Sequence, residues 1–438
     1  DDDDDDDSGD TTENSDNNNN NNSSGPGTVS FSSDADWIAI LDGPDGTWMR
    51  LQPSPSAALT SPVDYSVDIS DSEGRFGIVV VCDETSTAEV FGTLLTVGEF
   101  NGSLAAYGLA TSCNGGSSNN STQHNVQVDV TNSLGEGSIS LPGIPPMITA
   151  TNQTLNGQVI EGTYVLGAAT GTTFEVADKI FINRTIDISG DVAIPVDFTS
   201  STFAGDINRN INVVVDSNGA DTELTSFNGA FTLGYTAATS DVDRIPAFTN
   251  LFIESFSGAS ETFSVGPVPS ALADTTNDSY VLTASGVGQS SAISGSSGDV
   301  TETRTRTRYA RQLEATNFSL PSGWAVTSVN KDTTDPNYPI FSVNASLYSD
   351  VSTGDAELYW MMYGGWQFFV SSGWLTGASD LQFAFPNLSA LDGWNTNWNP
   401  EAQTFDFFSL FASTLNFIDV DGNIVGDLGA IVSKLGTF

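Results

Sequence analysis

The sequence predicts an all-β protein of stacked sandwiches, and three observations carry that expectation. Short runs of Val, Ile, Thr and aromatic residues recur along the chain, separated by clusters of Gly, Ser, Thr, Asn and Asp. Several runs alternate apolar with polar residues, the period of a strand with one buried face. Helical periodicity of useful length is missing, and only the last dozen residues admit a short helix. The expected architecture is tandem β-sandwich, immunoglobulin-like domains after a disordered acidic N-terminal tether.

In chain order, residues 1–28 form the tether. Seven aspartates are followed by the asparagine run 17–22, and nothing apolar is present to offset the entropy of ordering. From Val29 onward the pattern is β. Residues 37–41, 42–46 and 47–51 read as strand, turn and strand, and residues 65–69 alternate as a half-buried strand does. The continuous apolar run 77–81 reads as a fully buried strand. Further strands are expected within 126–130, 162–166, 180–188, 211–215, 227–235, 280–284 and 324–329. The aromatic stretch 358–378 reads as a hairpin broken at Gly364 and Gly365 rather than as a membrane span. Residues 405–418 carry more Phe and Leu than one face of a surface strand needs, so they read as a doubly buried strand or as an interface.

Boundaries fall at the low-complexity segment 114–123, near 199–205, and near 290–299 or after Arg311. They divide the chain into a sandwich with a disulfide at 29–113, sandwiches at 124–200 and 203–311, and a Trp-rich C-terminal module at 312–438. No fixed repeat period is visible. The two cysteines, Cys82 and Cys113, are expected to join two strands of the first sandwich, a link worth roughly 3–4 kcal/mol on the chain-entropy account. Two buried free thiols are the alternative. A bridge would place the protein in an oxidising compartment. The chain opens on Asp1 rather than Met, which fits a leader removed before this point.

Composition narrows the chemistry. Against 55 Asp plus Glu there are 12 Lys plus Arg, a formal charge of −43. Nucleic acid and anionic lipid are therefore unsuitable partners. One His and two Cys supply no zinc, copper or iron–sulfur set, and any Ser-His-Asp or Cys-His mechanism would have to run through His124, in a loop rich in Asn and Ser.

The acidic start, residues 74–82 (Gly-Arg-Phe-Gly-Ile-Val-Val-Val-Cys) and residues 177–186 (Ala-Asp-Lys-Ile-Phe-Ile-Asn-Arg-Thr-Ile) resemble uncharacterised bacterial surface lipoproteins. These are built of tandem immunoglobulin-like and carboxypeptidase-regulatory-like β-modules. The resemblance implies an outer-surface location and a lipid anchor on a cysteine ahead of this chain. It implies no catalytic residue.

Three clusters are candidates for function. Residues 303–311 place Arg304, Arg306 and Arg308 on one face of a strand, where they could hold an acidic glycan or an acidic chain, or else pair with the protein's own carboxylates. Six of the eight tryptophans lie between Trp324 and Trp398; among them Trp394 and Trp398 flank asparagines in an expected loop and could stack on sugar rings, unless they fill the core. Asp419, Asp421 and Asn423 resemble a calcium loop, although their spacing departs from the EF-hand and fits an Asp-Gly hairpin turn better. Sequons at Asn152, Asn183, Asn277, Asn317, Asn344 and Asn387 read as a product of composition.

The leading expectation is a non-enzymatic extracellular protein without a required cofactor, acting as spacer, adhesin or surface-assembly component. Its partners would be a cell-surface protein, a glycan or a second copy of itself. A carbohydrate-binding protein using the C-terminal aromatics is the first alternative. A glycan hydrolase using two carboxylates is the second.

Overall fold

The computed structural model describes residues 27–51, 63–82, 94–101, 122–199, 204–240, 244–335, 337–350, 354–363, 366–375, 381–399, 407–414 and 426–438. The expected tether, apart from its last two residues, lies outside them. So do Cys113 and the calcium candidates Asp419, Asp421 and Asn423.

The protein is all-β, with sheets packed face to face around apolar cores. Residues 122–199 form one sandwich. Its first sheet orders Gln153–Ile160, Gln123–Thr131 and Val192–Asp197, the last two strands running parallel. Val126, Val128 and Val130 alternate with Asn125, Gln127 and Asp129, so the valines enter the core with Leu155, Ile194 and Val196 while the polar set faces water. The opposing sheet is centred on Gly162–Gly171 and Lys179–Ile188. Gly162–Gly171 is apolar from Tyr164 to Ala169 because both its faces are covered there: Tyr164, Leu166 and Ala168 enter this core, Val165 and Ala169 the next.

The second core lies between a three-stranded sheet (Ser260–Val265, Ile211–Asp216, Thr316–Ser319) and one end of a twelve-stranded sheet. That long sheet orders Ala247–Phe256, Thr225–Ala237, Ser279–Ser290, Val300–Ala310, Gly426–Thr437, Phe407–Ser413, Leu358–Tyr363, Trp366–Ser371, Leu94–Asn101, Arg75–Cys82, Trp37–Asp42 and Met49–Arg50. A third core fills the space between its other half and the sheet of Val326–Asp332, Ile340–Ala345 and Leu381–Ala384. On the opposite face, the pair Gly27–Ser33 and Val63–Ile69 covers Ile38, Ile40, Ile78 and Val80.

Two expectations change. The last dozen residues form the strand Gly426–Thr437 rather than a helix. Ile431, Ser433 and Leu435 alternate with buried Val432 and Lys434, and pairing on both sides satisfies the backbone. The expected boundaries also do not interrupt the sheet. Val300–Ala310 pairs with Gly426–Thr437 across position 311, and Leu94–Asn101 runs parallel to Trp366–Ser371. The first and last expected modules therefore share a core, in which Trp37, Ala39, Val79 and Val81 meet Tyr359, Trp366 and Phe368. The aromatic run near 405–418 supplies the strand Phe407–Ser413, with Phe408 and Leu410 buried on one face and Phe411 half-buried on the other. The hairpin expected at 358–378 is present as Leu358–Tyr363 and Trp366–Ser371.

Candidate functional site: the arginine strand and the indole cluster

The alternation in Val300–Ala310 sends Glu302, Arg304 and Arg306 inward and leaves Thr301, Thr303, Thr305 and Thr307 on the outer face. Arg304, 1% exposed, donates from Nε to Glu302 Oε1 at 2.7 Å and from Nη2 to Glu223 Oε2 at 2.5 Å. Lys434 Nζ reaches the second oxygen of Glu302. Burial alone would lower the Arg304 guanidinium, but the charge of Glu302 and the bond to Glu223 outweigh it and hold the group above its ordinary value. Gly323 leaves room beside it, since a Cβ there would push against the guanidinium.

Arg306 and Arg308 share the ring of Phe318 from 5.2 and 5.4 Å. They bond Ser319 O at 3.3 Å and Thr316 Oγ1 at 3.1 Å. The expectation that Arg304, Arg306 and Arg308 present a row to an acidic ligand is therefore corrected. The row was read properly from the sequence, but it faces the protein's own carboxylates and the opposing sheet, because a buried charge without a partner is costly.

The tryptophans form a second interior constellation. Trp398 is 7% exposed, and its carbonyl accepts the indole N–H of Trp366 at 2.9 Å. Trp394 is half-buried and donates to Asn399 Oδ1 at 3.1 Å. The Trp394 ring meets Trp37 at 5.0 Å and Trp398 at 5.3 Å, both edge to face. Trp37 Nε1 donates to Asp392 O at 3.1 Å, and Arg50 pairs with Asp392 Oδ2 at the same distance. The loop expectation is met, with Asn395 capping the short 3-10 turn Thr396–Trp398. The sugar-stacking expectation for Trp394 and Trp398 is corrected: Trp398 is buried, and Trp394 is half-buried and packed edge to face on Trp37 and Trp398, so the pair holds the C-terminal loop on the N-terminal strands.

The strongest polar centre was not singled out from the sequence. Asp278, 2% exposed, accepts from Arg184 Nη1 at 2.7 Å and Nη2 at 2.5 Å, from Ala238 N at 2.9 Å, from Asp274 N at 2.8 Å, and from the Tyr235 hydroxyl. Burial first, and then the bond to Asp278, keep the Tyr235 phenol far above its ordinary value. Arg184 also donates to Ala238 O and Leu272 O, so one side chain of the 122–199 sandwich is clamped into the second unit. No local pattern around Arg184 or Asp278 announces this, because the two are 94 positions apart.

His124 is the second residue of the strand Gln123–Thr131 instead of lying in a loop, and its Nε2 is 3.8 Å from Glu161 Oε2. An open groove of about 570 Å³ lies on the outer face of that sheet, between Gln127, Gln158 and Asp191. Asp191 is the one acid lining it. Asn125, through its backbone N–H first, holds that carboxyl below the usual range, opposite to what a general acid needs. Among the described residues, no three His, Cys, Asp or Glu side chains are grouped to hold a metal ion, and no helix is long and apolar enough to cross a membrane.

No protein-family model matches the chain, and no curated protein does. One solved structure that it matches is described as a tetra-tandem repeat in the extending region of a large adhesion protein. The two are 11% identical, with a TM-score of 0.13, over 92% of this chain and 91% of that one. A score of that size does not establish a common fold.

Proposed function

We propose that the chain is a non-enzymatic extracellular protein of the cell surface, serving as a spacer, adhesin or surface-assembly component. The observation that carries this reading is the use of its scarce basic residues. Arg184 ties the 122–199 sandwich to buried Asp278 of the next unit, Lys434 ties the last strand to buried Glu302, and Arg304 holds Glu302 and Glu223, so scarce cations are spent inside the fold on coupling its parts. A body of that kind transmits force and resists non-specific association with polyanions. The proposal includes a lipid anchor ahead of this chain, a bridge from Cys82 to Cys113, and a surface protein or glycan as partner. It involves no cofactor; calcium at Asp419, Asp421 and Asn423 would be an addition to it. In support of the bridge, Cys82 is not a free thiol, and the chain has one other cysteine.

Antibody labelling of intact source cells, combined with alkylation of the unreduced, denatured protein, tests the reading. Labelling without permeabilisation and two unmodified cysteines are expected. Labelling only after permeabilisation, or two alkylated thiols, would sink it.

A further inference from the structure

The outer face of the long sheet carries uncharged rows in a strongly acidic protein. Seven consecutive strands contribute to it, from Thr225–Ala237 through Ser279–Ser290, Val300–Ala310, Gly426–Thr437, Phe407–Ser413 and Leu358–Tyr363 to Trp366–Ser371. The register sets its residues in rows. One row reads Asn228, Val287, Thr303, Ser433, Phe411, Trp360, Phe369, and the next reads Gln289, Thr301, Leu435, Ser409, Met362, Gln367. None of these side chains is charged, although the whole chain has 55 acids.

Large apolar groups stand in the open on this face: Val287 is 40%, Leu435 46% and Met362 37% exposed. Neighbouring hydroxyls bond along the sheet instead of reaching outward, as Thr283 with Thr307 at 3.2 Å and Ser285 with Thr305 at 3.0 Å. Further along the same sheet, the pair Gly27–Ser33 and Val63–Ile69 already seals the equivalent face, and Trp360 and Phe369 lie at the margin of that seal. The face is thus half covered from within and open beyond Trp360.

We infer that the open part binds a second copy of this chain, sheet against sheet. Charge selects the occupant. Two copies at −43 repel wherever carboxylates meet, and this face lets them approach with none in contact. A two-fold axis through it places neutral rows on neutral rows. The aromatic ladder argues against a sugar in the same place. Phe411 and Trp360 stack at 4.5 Å and 6°, and Trp360 stacks on Phe369 at 6.3 Å, so ring faces are used between strands and edges point outward. The five strands open beyond Trp360 and three to four rows span a plan of about 500 Å², which side-chain relief brings toward the roughly 800 Å² per partner of a stable interface. This goes beyond the surface-protein proposal and does not depend on it, since a monomer would leave the location untouched.

Sedimentation equilibrium of the full chain tests the inference, at about 0.05 M and about 1 M salt, where screening differs several-fold. A dimer that tightens with salt is expected for the native chain. Thr303→Glu, placed mid-face, is expected to weaken it at least about tenfold, the change that 1.4 kcal/mol represents. Ala193→Glu, on the exposed face of the 122–199 sandwich, is expected to leave it unchanged. If thermal unfolding shows Thr303→Glu to be misfolded, Leu435→Ser with Val287→Ser takes its place. A native chain that is monomeric at both salts up to about 100 μM, a dimer indifferent to the face variants, or a monomer that instead binds an uncharged glycan would each overturn the inference.

Discussion

The sandwich at 122–199 and the unit woven from the two chain ends solve the same packing problem in opposite ways. In the first, every core residue from Val126 to Phe198 comes from one contiguous stretch. In the second, Trp37, Ala39, Val79 and Val81 complete a core of buried residues otherwise supplied from Ile293 to Val432. The contiguous sandwich depends on apolar alternation and short connections. The woven unit adds directional polar locks: Trp37 and Arg50 on Asp392, and Glu302 between Arg304 and Lys434. Strands brought together from far apart need more than hydrophobicity to specify which edge meets which.

The largest expected effect breaks that contrast directly. Trp37→Ala removes a ring that is 1% exposed and packed against Trp394 and Trp398. A loss of about 3–5 kcal/mol is expected in the woven unit. Hydrogen exchange should report lost protection at 75–82 and 366–371 and unchanged protection at 126–130. Equal loss in both regions would mean that they unfold as one body.

Asp278→Ala comes next. It leaves Arg184 without its carboxylate between the first two units, at about 3 kcal/mol. Denaturant unfolding should then split into two transitions, the earlier one belonging to the contact between units. Salt acts more broadly and more weakly. Raising it from about 0.1 to about 1 M shortens the Debye length from about 10 to about 3 Å, and the melting temperature is expected to rise as self-repulsion is screened. A fall would show that ion pairs outweigh repulsion.

The smallest effect concerns Asp71. The Arg75 side chain, against the opposing effect of burial, and the N–H groups of Arg75 and Glu73 hold its carboxyl below the usual range. A depressed folded-state pKa stabilises fully above the unfolded value near 4 and loses that contribution as pH falls through the folded value. Asp71→Asn should therefore cost about 1 kcal/mol or less at pH 7, with the difference from the native chain vanishing in the window below about pH 4. A difference that persists at pH 2 would contradict this origin.

Much of the fold was legible because alternation is local. Tyr65 and Ile69 and the strand at 126–130 lie where the period of two places them, and the continuous apolar run ending at Cys82 is buried throughout. The pairing of strands was not legible, since nothing near Leu95 names Trp366 as its neighbour. The arginine strand shows the boundary between the two. Period two puts Arg304 and Arg306 on one face, but which face turns inward depends on Glu223 and Lys434, 81 positions before Arg304 and 132 positions after Glu302. Trp394 and Trp398 were ambiguous for the same reason, because their burial depends on Trp37.

The hydrogen bond from Trp37 to Asp392 also sets a clock. Its two ends are 355 positions apart, and at roughly 5–20 residues per second a ribosome needs about 20–70 s to produce the second after the first. Over that interval the 122–199 sandwich can close by itself, while Trp37, Ala39, Val79 and Val81 wait for Tyr359, Trp366 and Phe368. These strands are thus made long before their core is complete. A nascent chain carrying them must be kept from aggregating until its final strand has been delivered.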